Sequence, residues 1–309
     1  MSDNAAEFSA CEGGSVVTLG AFDGVHRGHQ QILARVLDRA RSAGLPAVVI
    51  TFRPHPLAVL KPDAAPDLLT PGDEQLVALA AQGIEHTVLL DFTPDVAALD
   101  AESFVQRVLI GRCRMRELVI GYNHKLGRGR HGDAAALSAM GERIGFQVHV
   151  VPATLAADGT VVSSTAVREA LRQGELAHVA ELLGRPYEVR GKVVPGHQRG
   201  RVLGYPTMNV VPDDAKKLLP PDGVYAVRAT TPAGEFGGMM NVGGRPTFGE
   251  LERTVEVHLF DSGGAPYGAC VSVSVIHRLR SVMRFDGVEA LVAQLAEDAG
   301  AARIALTQA

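Results

Sequence analysis

The first half of the chain alternates short apolar runs with stretches of helical periodicity. Residues 16–19 read as a buried strand, and between 27 and 41 the apolar residues Ile32, Leu33, Val36, Leu37 and Ala40 recur at the spacing of one helix face. Arg39, Arg41 and Gly44 then supply the end signals that close such a helix. Further apolar runs at 47–52, 87–90, 118–120 and 148–151 are separated by helical stretches at 73–81 and 103–110. This grammar predicts an α/β, Rossmann-like domain: a parallel sheet with helices on both faces. After about Leu183 the pattern changes to short alternating strands broken by Gly and Pro, with candidates at 189–194, 223–230, 254–260 and 269–276. That pattern predicts a small β-barrel or sandwich, of which the barrel is the reading adopted. A terminal helix follows, with Val288, Leu291, Val292 and Leu295 on one face and Asp286 and Glu289 at the spacing of a capping box. The boundary belongs near Gly184, giving domains 1–184 and 185–309.

A chain of 309 residues has room for two such domains at about 150 residues each. With 46% hydrophobic and 21% charged residues it has the composition of a folded globular protein. The net charge of −4 argues against wholesale binding to nucleic acid or to an acidic membrane, since both require a basic face. Cys11, Cys113 and Cys270 lie far apart without CxxC spacing, so neither a disulfide framework nor a structural zinc site is indicated. The opening residues lack the basic-then-apolar order of a signal peptide, and no apolar run approaches the ~20 residues of a membrane span. A cytoplasmic location is expected.

The candidate chemistry begins at GAFDGVHRGH, residues 20–29, directly after the first strand, where open parallel sheets bind their ligands. Gly20, Gly24 and Gly28 let backbone N–H groups approach an anion, and the helix that starts there adds partial positive charge. His26 and His29, one turn apart, can both point at that anion. Two imidazoles beside a triphosphate suit transfer of a nucleotidyl group, which depends on stabilising charge at the α-phosphate and the departing pyrophosphate. The same His-x-x-His spacing also occurs on helix surfaces and in metal sites, but the HExxH glutamate of zinc proteases is absent. Ser163, Ser164 and Thr165 precede a helical AVREAL with Arg168 close behind, which is either a second anion site or plain capping. Gly127, Gly129 and Gly132 have dinucleotide-fold spacing, but they come too late after their strand, among Lys125, Arg128 and Arg130, and no acid lies about 20 residues on. A basic flap or a solvated turn is the better reading.

GxFDGxHxGH, SSTxxR and a late PTxN motif, in that order, together resemble the bacterial bifunctional riboflavin kinase/FMN adenylyltransferase (FAD synthetase) family, over nearly the whole chain. The resemblance implies that Phe22, Asp23, His26 and His29 belong to an ATP site for adenylyl transfer, with Ser164, Thr165 and Arg168 on the distal phosphates. Asn123 falls where the family contacts its substrates, and His55 lies in another shared segment. The chain departs from the family pattern at Arg53, where an acidic residue is common, and at His124 and Leu126, where aromatics are common. FMN's phosphate, with a second pKa of about 6, is largely dianionic at neutral pH and needs no protein base.

Phosphorylating riboflavin to FMN is different, because a neutral alcohol must lose its proton as it attacks the γ-phosphate of ATP, so a carboxylate base is expected. In TVEVHLF, Thr254, Glu256 and His258 share one strand face. By pattern alone Glu256 reads as a water-facing glutamate; the family places its catalytic glutamate in this motif. No Walker A sequence exists, since Gly191-Lys192 is followed by Val193. The phosphates are expected at GHQRGRVLGYPTMN, where Gly196, Gly200 and Gly204 form a flap and Arg199 or Arg201 supplies charge. Thr207 and Asn209, two apart on an extended segment, can offer oxygen ligands to Mg²⁺, as in the family. Met208 stands where relatives often carry a small residue, Pro266-Tyr267-Gly268 replaces the family's Leu-Tyr-Gly, and LRSVMRF lacks the expected acid. The expected partners are riboflavin, FMN and ATP, with FAD as product and no nucleic acid or membrane. Two rivals remain: another nucleotidyltransferase with an unrelated barrel, or a barrel that only binds RNA or protein. The latter calls for a basic or aromatic face, and the chain has no tryptophan.

Overall fold

The computed structural model describes residues 13–196, 200, 203–247, 250–262 and 264–308. Its contacts divide it into one unit ending at Ser163 and a second beginning at Ser164.

In the first unit β1 (Ser15–Leu19), β2 (Ala47–Arg53), β3 (His86–Asp91), β4 (Met115–Gly121) and β5 (Gln147–Val151) form a parallel sheet in the order β3-β2-β1-β4-β5. Every residue of β1 is buried, which is why this central strand reads as an apolar run without alternation. Around the sheet lie α1 (Arg27–Ala43), α2 (Pro56–Leu60), α3 (Asp73–Ala80), α4 (Pro94–Ala98), α5 (Ala101–Phe104) and α6 (Ala134–Ile144). The helix expected over 103–110 is instead the short α5 running into a π-helical turn, Val105–Ile110. On α1, Leu33, Val36 and Ala40 are buried as the periodicity predicts, and Gly44 closes the helix in the left-handed conformation. Val36 and Ala40 pack on Val16 and Val119, while Phe104, Leu109 and Leu137 cover the opposite face of the sheet. Each such side chain contributes roughly 1.5–3 kcal/mol on burial.

The strand order decides where a ligand can sit. From β1 the chain moves to β2 on one side, and β4 later joins on the other. The carboxyl ends of β1 and β4 therefore flank the point where the order reverses, which is where open α/β sheets bind their ligands. The loop 20–29 leaves β1 at this point, and Tyr122, Asn123 and His124 leave β4 beside it.

The second unit begins with α7 (Ser164–Gln173) and α8 (Leu176–Leu183), the latter closed by Gly184 and packed against strands of the barrel. Then β6 (Tyr187–Val194), β7 (Met208–Pro212), β8 (Gly223–Thr231), β9 (Gly234–Thr247), β10 (Glu250–Leu259) and β11 (Cys270–Arg280) close an antiparallel barrel in the order β10-β7-β6-β11-β8-β9. On β10, Val255, Val257 and Leu259 are buried, so Thr254, Glu256 and His258 share the other face as the alternation predicts. The terminal helix α9 (Val288–Gln308) is anchored by Leu295, Ala299, Ala302, Ala305 and Leu306 against Ala226, Met239 and Phe260. Of the expected face, Val288 is exposed, Leu291 and Val292 are half-buried, and Leu295 packs on the barrel. Asp286 lies two residues ahead of the helix start and Gly287 directly flanks it.

Candidate active site

The loop after β1 is fastened at many points. Ala21's carbonyl accepts from Thr51 Oγ1 and from the Gln75 amide. Phe22 and Val25, neither of them glycine, are held at φ 45° and 41°. Such left-handed backbone at bulky residues costs free energy and persists where the surroundings over-determine it, which is common at ligand sites. Asp23 is buried, and its carboxylate accepts the backbone N–H groups of Leu69 and Thr70 at 2.9 Å each. It braces a neighbouring loop against this one.

Two expectations about the loop change. Gly20 N–H donates to Ile50 O at 3.1 Å and Gly24 N–H to Thr70 Oγ1 at 2.7 Å, so these two N–H groups are spent within the fold. The glycines serve geometry: a Cβ at Gly28 would press on the His26 ring and on Val162 O at 3.2 and 3.3 Å. Phe22, at 1% exposure, belongs to the core with Leu33, Val49 and Leu79, and its ring meets His29 at 5.0 Å between centroids. It supports the site from beneath and does not present its side chain to a ligand.

His26 caps α1: its Nδ1 accepts the N–H of His29 at 3.3 Å, which leaves the proton of the neutral ring on Nε2. The two imidazoles stack at 3.7 Å with planes 17° apart. His29 Nδ1 is shielded and has no hydrogen-bond partner. Burial, and then the neighbouring His26, hold the His29 pKa well below its usual value, so the ring is neutral at pH 7. A stacked pair of imidazoles at a helix N-terminus, with His29 neutral, is a donor set for an anion. It reaches the charge that develops on a phosphate without first requiring a buried imidazolium.

At the carboxyl end of β4, Asn123 is exposed and His124 is half-buried with its Nε2 shielded and unpartnered. Burial, and then the charge of Arg130, lower the His124 pKa to about 4. The glycine-rich stretch beyond is a tight hairpin: Leu126 bridges Gly132, Lys125 pairs with Asp133 at 3.4 Å, and a Cβ at Gly127 would overlap the backbone of Ala101. Its glycines serve close packing, as the rejection of a dinucleotide fingerprint there requires. His55 caps α2 through Leu57 N–H. Ser164 and Thr165 open α7, and Arg168 follows in it, 8% exposed.

In the barrel, Glu256 pairs with Asn209 of β7 on one side and with Asn241 of β9 on the other. Directly opposed residues share a face, so a carboxylate stands between two carboxamides. A cleft of about 300 Å³ lies on the β9 side, lined by Asn241, Gly243, Thr254, Glu256, Asp222 and Val282. On the other side a Cβ at Gly196 would overlap Asn209 Nδ2, and one at Gly200 would overlap Tyr205 O, so both glycines are needed for close approach. Gly200 O also accepts from Leu203 and Tyr205, making the tight turn that leads to Thr207. Arg199 and Arg201 lie outside the described residues. His258, on the Glu256 face, hydrogen-bonds through Nδ1 to Pro206 O at 2.8 Å and packs edge-on against Tyr205. This tie between the Glu256 strand and the Thr207–Asn209 segment went unread in the sequence, although alternation had already put His258 beside Glu256. Among the described residues no cluster of three His, Cys, Asp or Glu could hold a metal, and no helix is long and apolar enough to cross a membrane.

Comparison with known proteins agrees with both halves. Residues 8–166 match the FAD synthetase family and residues 183–306 the riboflavin kinase family. The chain is 37% identical to the bifunctional riboflavin kinase/FMN adenylyltransferase of Escherichia coli (strain K12), over 94% of this chain and 92% of that one. It is 33% identical to the protein of the same name from Bacillus subtilis (strain 168), over 92% and 90%. A solved structure described as a macrolide-efflux protein from Streptococcus pneumoniae superposes with a TM-score of 0.83 at 35% identity, covering 92% of each chain. The chain belongs to the bifunctional riboflavin kinase/FMN adenylyltransferase family.

Proposed function

We infer that the chain catalyses two consecutive reactions of flavin cofactor synthesis: riboflavin and ATP give FMN and ADP in the barrel, and FMN and a second ATP give FAD and pyrophosphate in the α/β unit. The observation that carries this reading is the order of the two family matches, each falling on a unit with a site suited to its half of the chemistry. The functional division is assigned to 184, with residues 1–184 for adenylyl transfer and 185–309 for phosphorylation.

In the first reaction the Glu256 carboxylate takes the proton of riboflavin's primary alcohol. The alcohol oxygen bonds to the γ-phosphorus of ATP, the bond from that phosphorus to the β,γ-bridging oxygen breaks, and ADP leaves. Thr207 and Asn209 are the residues assigned to Mg²⁺. A hydroxyl and a carboxamide are hard oxygen donors, and a Mg²⁺ ion carried mainly by phosphates needs few protein ligands, so the donor set fits. The ion would supply charge neutralisation at the β- and γ-phosphates. Gly196, Gly200 and Arg201 are assigned to the nucleotide.

In the second reaction a phosphate oxygen of FMN bonds to the α-phosphorus of ATP and pyrophosphate departs with the α,β-bridging oxygen. No protein base is required, since the attacking phosphate is already largely dianionic. His26 and His29 donate hydrogen bonds to the charge that builds on the triphosphate. Ser164, Thr165 and Arg168 are assigned its distal phosphates, and the FAD synthetase match takes in the first two. Asp23, Gly20 and Gly24 hold the loop in shape, and Asn123 is assigned a substrate contact.

The test separates the halves in one protein. With flavins resolved by chromatography, Glu256→Gln should lower FMN formation by about 10²–10⁴-fold while supplied FMN is still converted to FAD. His29→Ala should do the reverse. Loss of both reactions in both variants, or of neither, refutes the site assignments.

A further inference from the structure

Glu117 breaks the pattern of its strand. It stands on β4 between the buried Met115 and the buried apolar run 118–120, and it is itself only 6% exposed, where a sheet covered on both faces calls for an apolar residue. Its carboxylate receives Arg39 of α1 as a fork, Nε on Oε2 at 2.8 Å and Nη2 on Oε1 at 3.0 Å. Oε2 also lies 2.7 Å from Nε2 of His149 on β5. The hydrogen bonds from Arg39 outweigh burial and hold the Glu117 carboxyl below its usual range, so the pair is charged at neutral pH. A helix and two strands therefore meet at one buried carboxylate.

This tie is remote from the chemistry. Arg39 comes ten residues after His29 on the same helix, about 15 Å along its axis. Between them α1 runs down one face of β4 and sets Ile32, Val36 and Arg39 in turn against Gly121, Val119 and Glu117. The upper two contacts are apolar: a Cβ at Gly121 would meet Ile32 Cδ1 at 3.2 Å, and Val36 packs with Val119. Apolar contact is non-directional, so it holds a helix on a sheet without fixing how far the helix has slid or turned. A guanidinium–carboxylate fork fixes both, because its two parallel hydrogen bonds survive in one alignment. What depends on that alignment lies at the far ends of the two elements. His26 and His29 open α1, and Asn123, whose Oδ1 would lie 3.6 Å from the same Cβ at Gly121, follows β4. A buried ion pair is weak evidence for stability, since apolar residues of similar size often serve as well or better, and its best-attested use is to fix a register.

We propose that Glu117, gripped by Arg39 and braced by His149, is a positioning residue for adenylyl transfer: the fork sets the register of α1 along β4, and so the spacing between the two imidazoles and Asn123. The inference rests on the reading that the first unit adenylylates FMN at His26 and His29. It is tested in the full-length enzyme with Arg39→Met/Glu117→Leu, which replaces the pair by apolar side chains of similar size, at a temperature where circular dichroism shows every variant folded. The double variant should melt no lower than wild type and phosphorylate riboflavin unchanged. Its kcat for converting supplied FMN to FAD should fall about tenfold or more, since a displacement of about 1 Å can cost on the order of 10²-fold. The KM values for ATP and FMN should stay within about threefold, because the groups still bind the ground state. Arg39→Lys keeps the charge without the fork and should show the same kind of loss; a wild-type kcat there assigns the effect to charge and overturns the register. A kcat within about twofold of wild type in the double variant, alongside an inactive His29→Ala, overturns the role of Glu117 and leaves the first unit's reaction standing. Full adenylylation by His29→Ala overturns both.

Discussion

His124 offers a measurable consequence of burial at the first site. Its pKa is lowered from 6.5 to about 4 in the folded chain, by burial first and the charge of Arg130 second. Unfolding returns the ring to water and to its usual value. Below pH 6.5 the unfolded chain therefore holds a proton that the folded chain refuses. The stabilisation is complete above 6.5 and is lost as the pH falls toward 4. Integrating between pH 7 and pH 5 gives a loss of about 2 kcal/mol from this one residue. For a folding unit of this size, that is roughly 4–8 °C in Tm. His124→Phe keeps an aromatic ring of comparable size and removes the titrating group. Thermal unfolding of wild type and variant at both pH values, followed by circular dichroism, should show the wild type losing roughly 4–8 °C more on acidification than the variant. The variant keeps some acid sensitivity, because His29 is lowered in the same direction by burial and by His26. Equal losses in the two proteins would refute the linkage. So would a histidine NMR resonance, absent from the variant, that titrates with a midpoint above 6.

Asp23→Ala leaves the N–H groups of Leu69 and Thr70 without their acceptor. The expected cost is roughly 2–4 kcal/mol, with a raised KM for ATP in adenylyl transfer and unchanged riboflavin phosphorylation, measured by melting and by the two assays. Asp298, 3% exposed on α9, receives Arg280 of β11 at 2.7 Å. Asp298→Ala should destabilise the barrel by roughly 3 kcal/mol in urea titrations, and a midpoint unchanged from wild type would remove this ion pair from the account of what seats the helix.

What could be read in the sequence follows from how local the cause of each feature is. β1, β2 and β4 are recognisable because strands covered on both faces carry apolar runs at their centres, and α1 because its period, cap and terminal glycine all lie within one stretch. β9 could not be read in the same way. GEFGGMMNVGGRPT has little alternation and five glycines, and it becomes a strand because barrel closure gives it partners on both sides, β8 and β10. The face of α9 was misread at its start for the same kind of reason, since helical spacing identifies a helix but not where the surface it packs on begins.

The sites divide along the same line. His26 and His29 are four positions inclusive on one turn, so their pairing is local and legible. That Gly20 and Gly24 spend their N–H groups on Ile50 and Thr70, and that Asp23 spends its carboxylate on Leu69 and Thr70, depends on a strand and a loop about 30 and 46 residues away. Motif spacing therefore marks the loop but leaves unread that several of its residues are engaged within the fold. They hold in shape the loop from which the two stacked imidazoles project at the start of α1. In the barrel the sequence error runs the other way. Glu256 could be found on its own strand, but Asn241 becomes its neighbour only through register with β9, so the flanking of the carboxylate by two carboxamides is a property of three strands together.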